Sequence, residues 1–363
     1  MMLNFVMAGG GTGGHVIPAL AVAGELRRRG YEAVFIGTRG GLESRLAPEA
    51  GFRLELIEIA GLQRTGWRNA AETLWKLPGA VLRSRALLKK TAARAVFSMG
   101  GYVAGPVVLA ALLSRIPVVA MEPNALPGLV TRMTARWVRA AFVSFEETRR
   151  WFPPGRAEVS GLPVREAFFE LPPPAADGPF TVLVTGGSRG SRALNRAARE
   201  SWPHFRTAGA PVRWIVQTCA EEEAAMAEAF RASGLEGRVA AFIGDMPAAF
   251  GEASLVVGRA GAGAVSELAA AGRPSLLVPF PYAADDHQTA NARALEKRGA
   301  ARWMPESELS GESLFRAIEE LRAQPERRAA MARAGRASAW RGAAGKAADA
   351  LERAAGLGRG GVA

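Results

Sequence analysis

Twice in this chain a short apolar run leads into a glycine-rich turn and then a helical pattern, and that repeat restricts the fold more than any other feature. The first copy starts at Leu3–Met7, passes through Ala8-Gly-Gly-Gly-Thr-Gly-Gly14 and continues in the periodic segment Ile17–Arg29. The second starts at Phe180–Val184, passes through Thr185-Gly-Gly-Ser-Arg-Gly-Ser191 and continues from Arg192. Strand, glycine turn and helix in that order place unpaired helix N–H groups, and a backbone that a ligand can approach closely, at the end of a strand. After each opening, short apolar runs go on alternating with helical patterns. In the first half the strands are expected at Leu3–Met7, Ala33–Ile36, Arg53–Ile59, Ala95–Ser98, Val118–Met121, Ala141–Ser144 and Glu158–Ser160. In the second they are expected at Phe180–Val184, Val212–Gln217, Val239–Ile243, Leu255–Val257, Ser275–Val278 and Ala301–Met304. Such alternation predicts parallel sheets covered by helices on both faces.

The fold class is therefore α/β, with two Rossmann-like domains whose parallel sheets face one another across a cleft. A length of 363 residues suits two domains. The boundary is placed at 163/164, giving domains 1–163 and 164–342, and the stretch Leu171–Pro179 has the proline and glycine content of a linker. Beyond about 310 the pattern is helical. A last helix, 343–355, is expected to pack back on the first domain, with Gly356 onward frayed.

Composition excludes some classes. No apolar run reaches membrane-spanning length, and Met1–Val6 is too short and lacks the basic flank of a signal peptide. One cysteine, Cys219, rules out an intramolecular disulfide and suits a cytoplasmic protein. The net charge of +12 favours anionic partners, whether nucleic acid, lipid or phosphorylated substrate. No aromatic-basic RNA motif or zinc-finger spacing is present, so no nucleic-acid partner is expected.

Four stretches carry chemistry. The glycine turns come first: Gly9, Gly11 and Gly14 satisfy G-x-G-x-x-G, yet the second strand ends in Gly37-Thr38-Arg39, where a dinucleotide site needs an acidic residue. Glu43 is the nearest carboxylate beyond, and it falls in a helical pattern. A dehydrogenase is thereby weakened, while anion binding at both turns gains, with Ser188 and Arg189 suited to a diphosphate. His15, at the mouth of the first turn, is either a structural histidine or a general base. Glu267 follows the turn Gly258-Arg-Ala-Gly-Ala-Gly and reads either as a helix-dipole carboxylate or as an acceptor for two ribose hydroxyls. His287, Gln288 and Asn291, behind Val278-Pro-Phe-Pro, form a polar cluster suited to reading sugar hydroxyls; capping explains only a neighbouring aspartate.

Taken together, Gly10-Gly-Thr-Gly-Gly-His15, Met99-Gly-Gly-Tyr-Val-Ala-Gly-Pro106, Gly186-Gly-Ser-Arg-Gly190, Arg259-Ala-Gly-Ala262 with Ser266-Glu267, and Pro281-Tyr-Ala-Ala-Asp-Asp-His-Gln288 with Asn291 resemble the MurG family of GT-B glycosyltransferases. The motifs run in order from about residue 3 to 340. Single ones are shared with other GT-B enzymes; the set is specific. The resemblance implies transfer of N-acetylglucosamine from UDP-N-acetylglucosamine to the C4 hydroxyl of the muramyl sugar of undecaprenyl-linked lipid I, giving lipid II for peptidoglycan. It implies uracil near Ile243 and Met246, ribose on Glu267, and diphosphate at Ser188, Arg189 and Arg165. It implies the donor and its sugar near Thr12, Gly13, Gly14, Asn124, His287, Gln288 and Asn291. The acceptor loops would be Gly10, Gly11, Gly100, Gly101 and Tyr102, with His15 beside the acceptor. Three departures stand out: Met121-Glu-Pro-Asn124 where the family commonly has His-Glu-Gln-Asn, Gly161-Leu-Pro-Val-Arg165 where it has Gly-Asn-Pro-Val-Arg, and Arg189 where glutamine is usual.

The implied chemistry is one displacement that inverts the anomeric centre, with His15 or Glu122 as catalytic base. No Asp-x-Asp pair is present, so neither a metal nor another cofactor is expected. Two rivals stay open, a GT-B transferase acting on another lipid or a small aglycone and a non-catalytic nucleotide-sugar binding protein. A lipid-linked acceptor also implies a peripheral position on the anionic inner leaflet, at the cytoplasmic face of the bacterial cell membrane. The segment Leu74–Lys90, with Leu74, Trp75, Leu82, Lys89 and Lys90, is the candidate docking surface, interrupted near its middle by Pro78-Gly79. Core packing of its apolar face is the competing explanation.

Overall fold

The computed structural model describes residues 4–59, 67–174, 178–187, 190–209 and 211–357, with side chains from 75 onward in the segment that begins at 67. Among these, the first sheet holds β1 (Asn4–Gly9), β2 (Glu32–Gly37), β3 (Arg53–Leu56), β4 (Ala93–Gly100), β5 (Val118–Glu122), β6 (Ala140–Val143) and β7 (Ala157–Val159), in the order β3-β2-β1-β4-β5-β6-β7. The second holds β8 (Phe180–Thr185), β9 (Val212–Gln217), β10 (Gly237–Ala240), β11 (Leu255–Gly258), β12 (Ser275–Leu277) and β13 (Arg302–Trp303), in the order β10-β9-β8-β11-β12-β13. Every neighbouring pair is parallel, Val6 lying opposite Val34 and Val96, and Val184 opposite Val216 and Val257. Parallel strands joined through helices are covered on both faces. Hence Phe5, Val6, Met7 and Ala8 are all wholly buried, although only a continuous apolar run marks them in the sequence.

Both sheets reverse their strand order beside the first strand, between β1 and β4 and between β8 and β11. Each glycine turn leaves the carboxyl end of the strand at that switch point, which is where open α/β sheets bind ligands. All four edge strands differ from expectation, β7 (Ala157–Val159) and β13 (Arg302–Trp303) by one residue at each end and β3 and β10 by more. β3 stops at Leu56 instead of Ile59, and β10 covers Gly237–Ala240 instead of Val239–Ile243. An edge strand has one partner, so its length is set by that partner. Leu56 pairs with Gly37 and Ala240 with Gln217, the last residues of β2 and β9.

The chain packs as two compact units, one running to Pro163 and resuming at Trp340, the other Val164–Ala339. Within the first, the helix Ala343–Ala354 lies on the helix Gly13–Arg28 and against β4 and β5. Arg29 ties it down, donating to Asp349 at 2.5 Å and Glu352 at 3.1 Å, while Lys346 reaches Glu158 at 2.6 Å. The proline-rich stretch expected to be a linker instead belongs to the second unit. Arg273, 2% exposed, donates to the carbonyls of Phe250 and Pro172, and Arg336 to those of Phe169 and Leu171. Residues 175–177 lie outside the described residues. The second core is aromatic: Trp202 meets Trp214 and Phe230 edge-on, and Phe205 meets Trp214 and Phe315 in the same way.

Candidate active site

In the first unit the turn after β1 starts the helix Gly13–Arg28, whose third residue is His15. The Thr12 hydroxyl lies 3.2 Å from His15 Nδ1, and the ring packs against Gly101. That contact is open because Gly100 and Gly101 lead from β4 into the next helix with φ of +73° and +75°, a conformation only glycine adopts without strain. Tyr102 closes over Gly11 from the same helix, its ring against the turn. Gly10, Gly11, Thr12, Gly13, Gly14, His15, Gly100, Gly101 and Tyr102 are thus brought together at the switch point, although nearly ninety positions separate the two loops.

Sequence reasoning passed over Glu43 as a helical residue. It does open a helix, Glu43–Glu49, but its carboxylate turns back into the glycine turn and takes the Gly11 N–H at 2.8 Å. The signal was the crowd of glycines at 10, 37 and 41, each too close to Glu43 to carry a side chain.

Glu122 ends β5 and is 2% exposed. Its oxygens accept from the backbone N–H of Asn124 at 3.1 Å, the Asn124 amide at 3.2 Å and the Gly128 N–H at 3.3 Å. Burial pushes its carboxyl up, and bonds from Thr131, Asn124 and Gly128 pull against that. A carboxylate so enclosed braces the loop 122–128. Asn124, expected to bind donor sugar, is half-buried and held by that same carboxylate.

In the second unit, Glu267 lies on the helix Ala262–Ala271 that follows β11. Arg165 Nη2 stands 3.7 Å from its Oε1, and the Arg165 guanidinium covers the Phe168 ring at 4.9 Å. Enclosure pushes the Glu267 carboxyl up to about 7, against the opposing pull of Arg165. Gln288 accepts the Phe280 N–H at 3.0 Å, and Asn291, wholly buried, donates to the Ala260 carbonyl at 3.0 Å. Both residues therefore brace the loops after β12 and β11. His287 Nδ1 lies 2.7 Å from the Ala284 carbonyl. Ile243, on the loop after β10, and Met246, the first residue of the helix Met246–Glu252, are half-buried, and Asp245 caps that helix by accepting the Ala248 N–H at 3.0 Å. Ser188 and Arg189 lie outside the described residues; Gly186 and Gly190 on either side of them touch backbone to backbone.

The helix Trp67–Lys90 runs through Pro78-Gly79 without a break, contrary to the expected interruption. Proline there removes one hydrogen bond, and burial of Ala80, Val81, Ser84, Leu87 and Leu88 keeps the helix seated. The outer side exposes Trp75 at 87% and Leu82 at 66%. Lys89 and Lys90 are also exposed, and Lys90 bonds Glu55 at 3.0 Å. The Leu74 side chain is outside the described residues. A groove beside this helix is lined by Arg39, Lys76 and Arg83 together with Glu55 and Glu58.

Residues 5–143 match the glycosyltransferase family 28 N-terminal domain and residues 181–351 the glycosyltransferase family 28 C-terminal domain. A UDP-N-acetylglucosamine--N-acetylmuramyl-(pentapeptide) pyrophosphoryl-undecaprenol N-acetylglucosamine transferase of Solibacter usitatus is 55% identical, covering 97% of this chain and 96% of its own. The enzyme of the same name from Syntrophus aciditrophicus is 39% identical over 90% of this chain and 91% of its own. Among solved structures, Acinetobacter baumannii MurG superposes with a TM-score of 0.84 at 31% identity, covering 97% of this chain and all of that one. The calicheamicin glycosyltransferase CalG4, at 19% identity and a TM-score of 0.69, shares the fold over 98% of each chain. With this full-length identity and a glycine turn at each switch point, the chain belongs to the MurG family of glycosyltransferases.

Proposed function

We propose that the protein transfers N-acetylglucosamine from UDP-N-acetylglucosamine to the C4 hydroxyl of the muramyl sugar of lipid I, forming lipid II. The observation that carries this reading is the 55% identity, along nearly the whole chain, to a relative named for that transfer.

The second unit holds the donor. Glu267, when ionised, accepts the two ribose hydroxyls, and Ile243 with Met246 at the following helix start receives uracil. The diphosphate lies at the N-terminus of the helix Arg192–Ala208, with Arg165 as its cation. The first unit holds the acceptor at the turns around Gly11 and Gly101. His15 takes the proton of the C4 hydroxyl as that oxygen bonds the anomeric carbon. The bond from that carbon to the β-phosphate oxygen breaks, and its electron pair leaves with UDP. One displacement turns the α-linked donor into a β-linked product. Negative charge grows on the diphosphate, so preorganised N–H groups and Arg165 contribute most where that charge develops. His15 is preferred over Glu122 as base because Glu122 is enclosed and its oxygens are committed to the loop.

No described helix is long and apolar enough to cross a membrane. We place the protein peripherally on the anionic inner leaflet, at the cytoplasmic face. The supporting features are Trp75 and Leu82, both exposed on a helix that also carries Lys76, Arg83, Arg85 and Lys89. Shallow insertion of the apolar pair adds to attraction between the cations and anionic headgroups.

The test pairs calorimetric binding of several UDP-sugars with turnover on a lipid I analogue. UDP-N-acetylglucosamine should bind most tightly and give a lipid II product. Preference for another UDP-sugar would overturn the donor, and tight binding with no transfer would reduce the protein to a nucleotide-sugar binder.

A further inference from the structure

The first glycine turn is gripped by a carboxylate that the transfer chemistry above does not use. Glu43 has no exposed surface. Its Oε2 accepts the Gly11 N–H at 2.8 Å, and its Oε1 accepts the Thr38 N–H at 2.8 Å and the Thr38 hydroxyl at 3.0 Å. A side chain at Gly10, Gly37 or Gly41 would collide with it, so glycines on three segments leave the space that it fills. Among the described residues no cation pairs with it. A buried carboxylate without a counter-ion is costly unless hydrogen-bond donors satisfy it, and here the donors are the turn itself and the end of β2. Tyr102 completes the arrangement, its ring against Gly11 and its hydroxyl 3.4 Å from that of Thr38.

We infer that Glu43 is a positioning residue that latches the first glycine turn to the end of β2 and thereby sets Thr12 and His15 for proton removal. The link is short: Gly11 is fixed by Glu43, Thr12 follows it directly, and the Thr12 hydroxyl holds His15 Nδ1. A turn with glycines at 9, 10, 11, 13 and 14 has little stiffness of its own. Without an outside anchor it would sample many conformations, and His15 would be out of place for much of the time. The inference rests on the reading of His15 as the general base.

Glu43→Gln separates a latch from mere packing because it is isosteric. The amide oxygen can still accept from Thr38, but its NH2 then faces the Gly11 N–H, donor against donor. At saturating concentrations of both substrates, kcat should fall roughly 10–100-fold, the loss expected from a misplaced catalytic group. The dissociation constant of UDP-N-acetylglucosamine should stay at its wild-type value, and amide hydrogen exchange should quicken at Gly10–His15. Thr38→Val removes one of the three bonds to Glu43 and leaves the Gly11 bond in place, so it should lower kcat and quicken exchange less than Glu43→Gln does. If Glu43→Gln fails to fold, Glu43→Asp, which retracts the carboxylate, should show the same two changes. Wild-type kcat and wild-type exchange in a folded Glu43 variant would overturn the inference whatever happens to Tm. Absence of transfer by the wild type would sink the proposed function instead, and exchange at Gly10–His15 would still decide the latch.

Discussion

Raising the pH from 6 to 8 should strengthen binding of UDP-N-acetylglucosamine, and Glu267 sets the size of the change. Its carboxyl is pushed up to about 7 by enclosure, with Arg165 3.7 Å away opposing the shift. If only the carboxylate accepts the two ribose hydroxyls, about 9% of the protein is competent at pH 6 and about 90% at pH 8, so the apparent affinity rises about tenfold. That is about 1.4 kcal/mol. Isothermal calorimetry across this range reads the change directly, since a UDP-sugar diphosphate and uracil keep their charge there. Glu267→Gln is the control. It should bind more weakly and show a flat profile. Stability runs the other way. The folded carboxyl binds its proton more tightly than the unfolded one, so the free protein is most favoured below about 4.5 and loses that contribution as pH rises through about 7. One-third exposure of the side chain keeps the loss below about 2 kcal/mol. A flat wild-type binding profile between pH 6 and 8 would refute the reasoning. Either the carboxyl would already be ionised, or it would not touch the ribose.

Other outcomes follow from the same geometry. His15→Ala should lower turnover roughly 10²–10⁴-fold with donor affinity little changed; near-normal turnover in steady-state assays would assign the base elsewhere. Arg29→Met should destabilise the first unit by about 1–2 kcal/mol in urea unfolding, because Glu352 and Asp349 lose their cation on a partly exposed surface. Unchanged unfolding would mean that the Arg29 ion pairs do not help to hold the helix Ala343–Ala354. Trp75→Ser with Leu82→Ser, and separately Lys89→Glu with Lys90→Glu, should each reduce co-sedimentation with anionic vesicles in a salt-sensitive way while leaving UDP-sugar binding intact. Wild-type co-sedimentation by both would move the docking surface elsewhere. EDTA should leave turnover largely intact, and complete loss would contradict a metal-independent displacement.

Much of this protein was legible in one dimension because its signals are local. A continuous apolar run such as Phe5–Ala8 marks a strand covered on both faces, and a glycine turn before a helix marks the ligand end of that strand. The duplication of that unit announces two parallel sheets. Local signals misjudged what depends on a neighbour. β3 and β10 end where β2 and β9 end, so their limits were not in their own residues. Leu171–Pro179 has the composition of a linker, but Arg273 and Arg336 hold its carbonyls from about a hundred and a hundred and sixty positions away.

The site divides in the same way. Residue types and spacing alone marked His15, Glu267 and the glycine turns as places where chemistry can happen. Only the fold decided what else those polar groups bind. Glu122, Gln288 and Asn291 look alike in sequence as candidates for substrate contact, yet each donates to or accepts from a nearby backbone and stiffens a loop. Glu43 looked like an ordinary helical carboxylate and proved to be buried in the first turn. The reason is physical: a hydrogen bond needs two partners within about 3 Å, and sequence separation is silent on that distance unless one helix or one turn spans it. Composition and periodicity determine which faces are buried; the tertiary structure determines which buried polar atoms find each other.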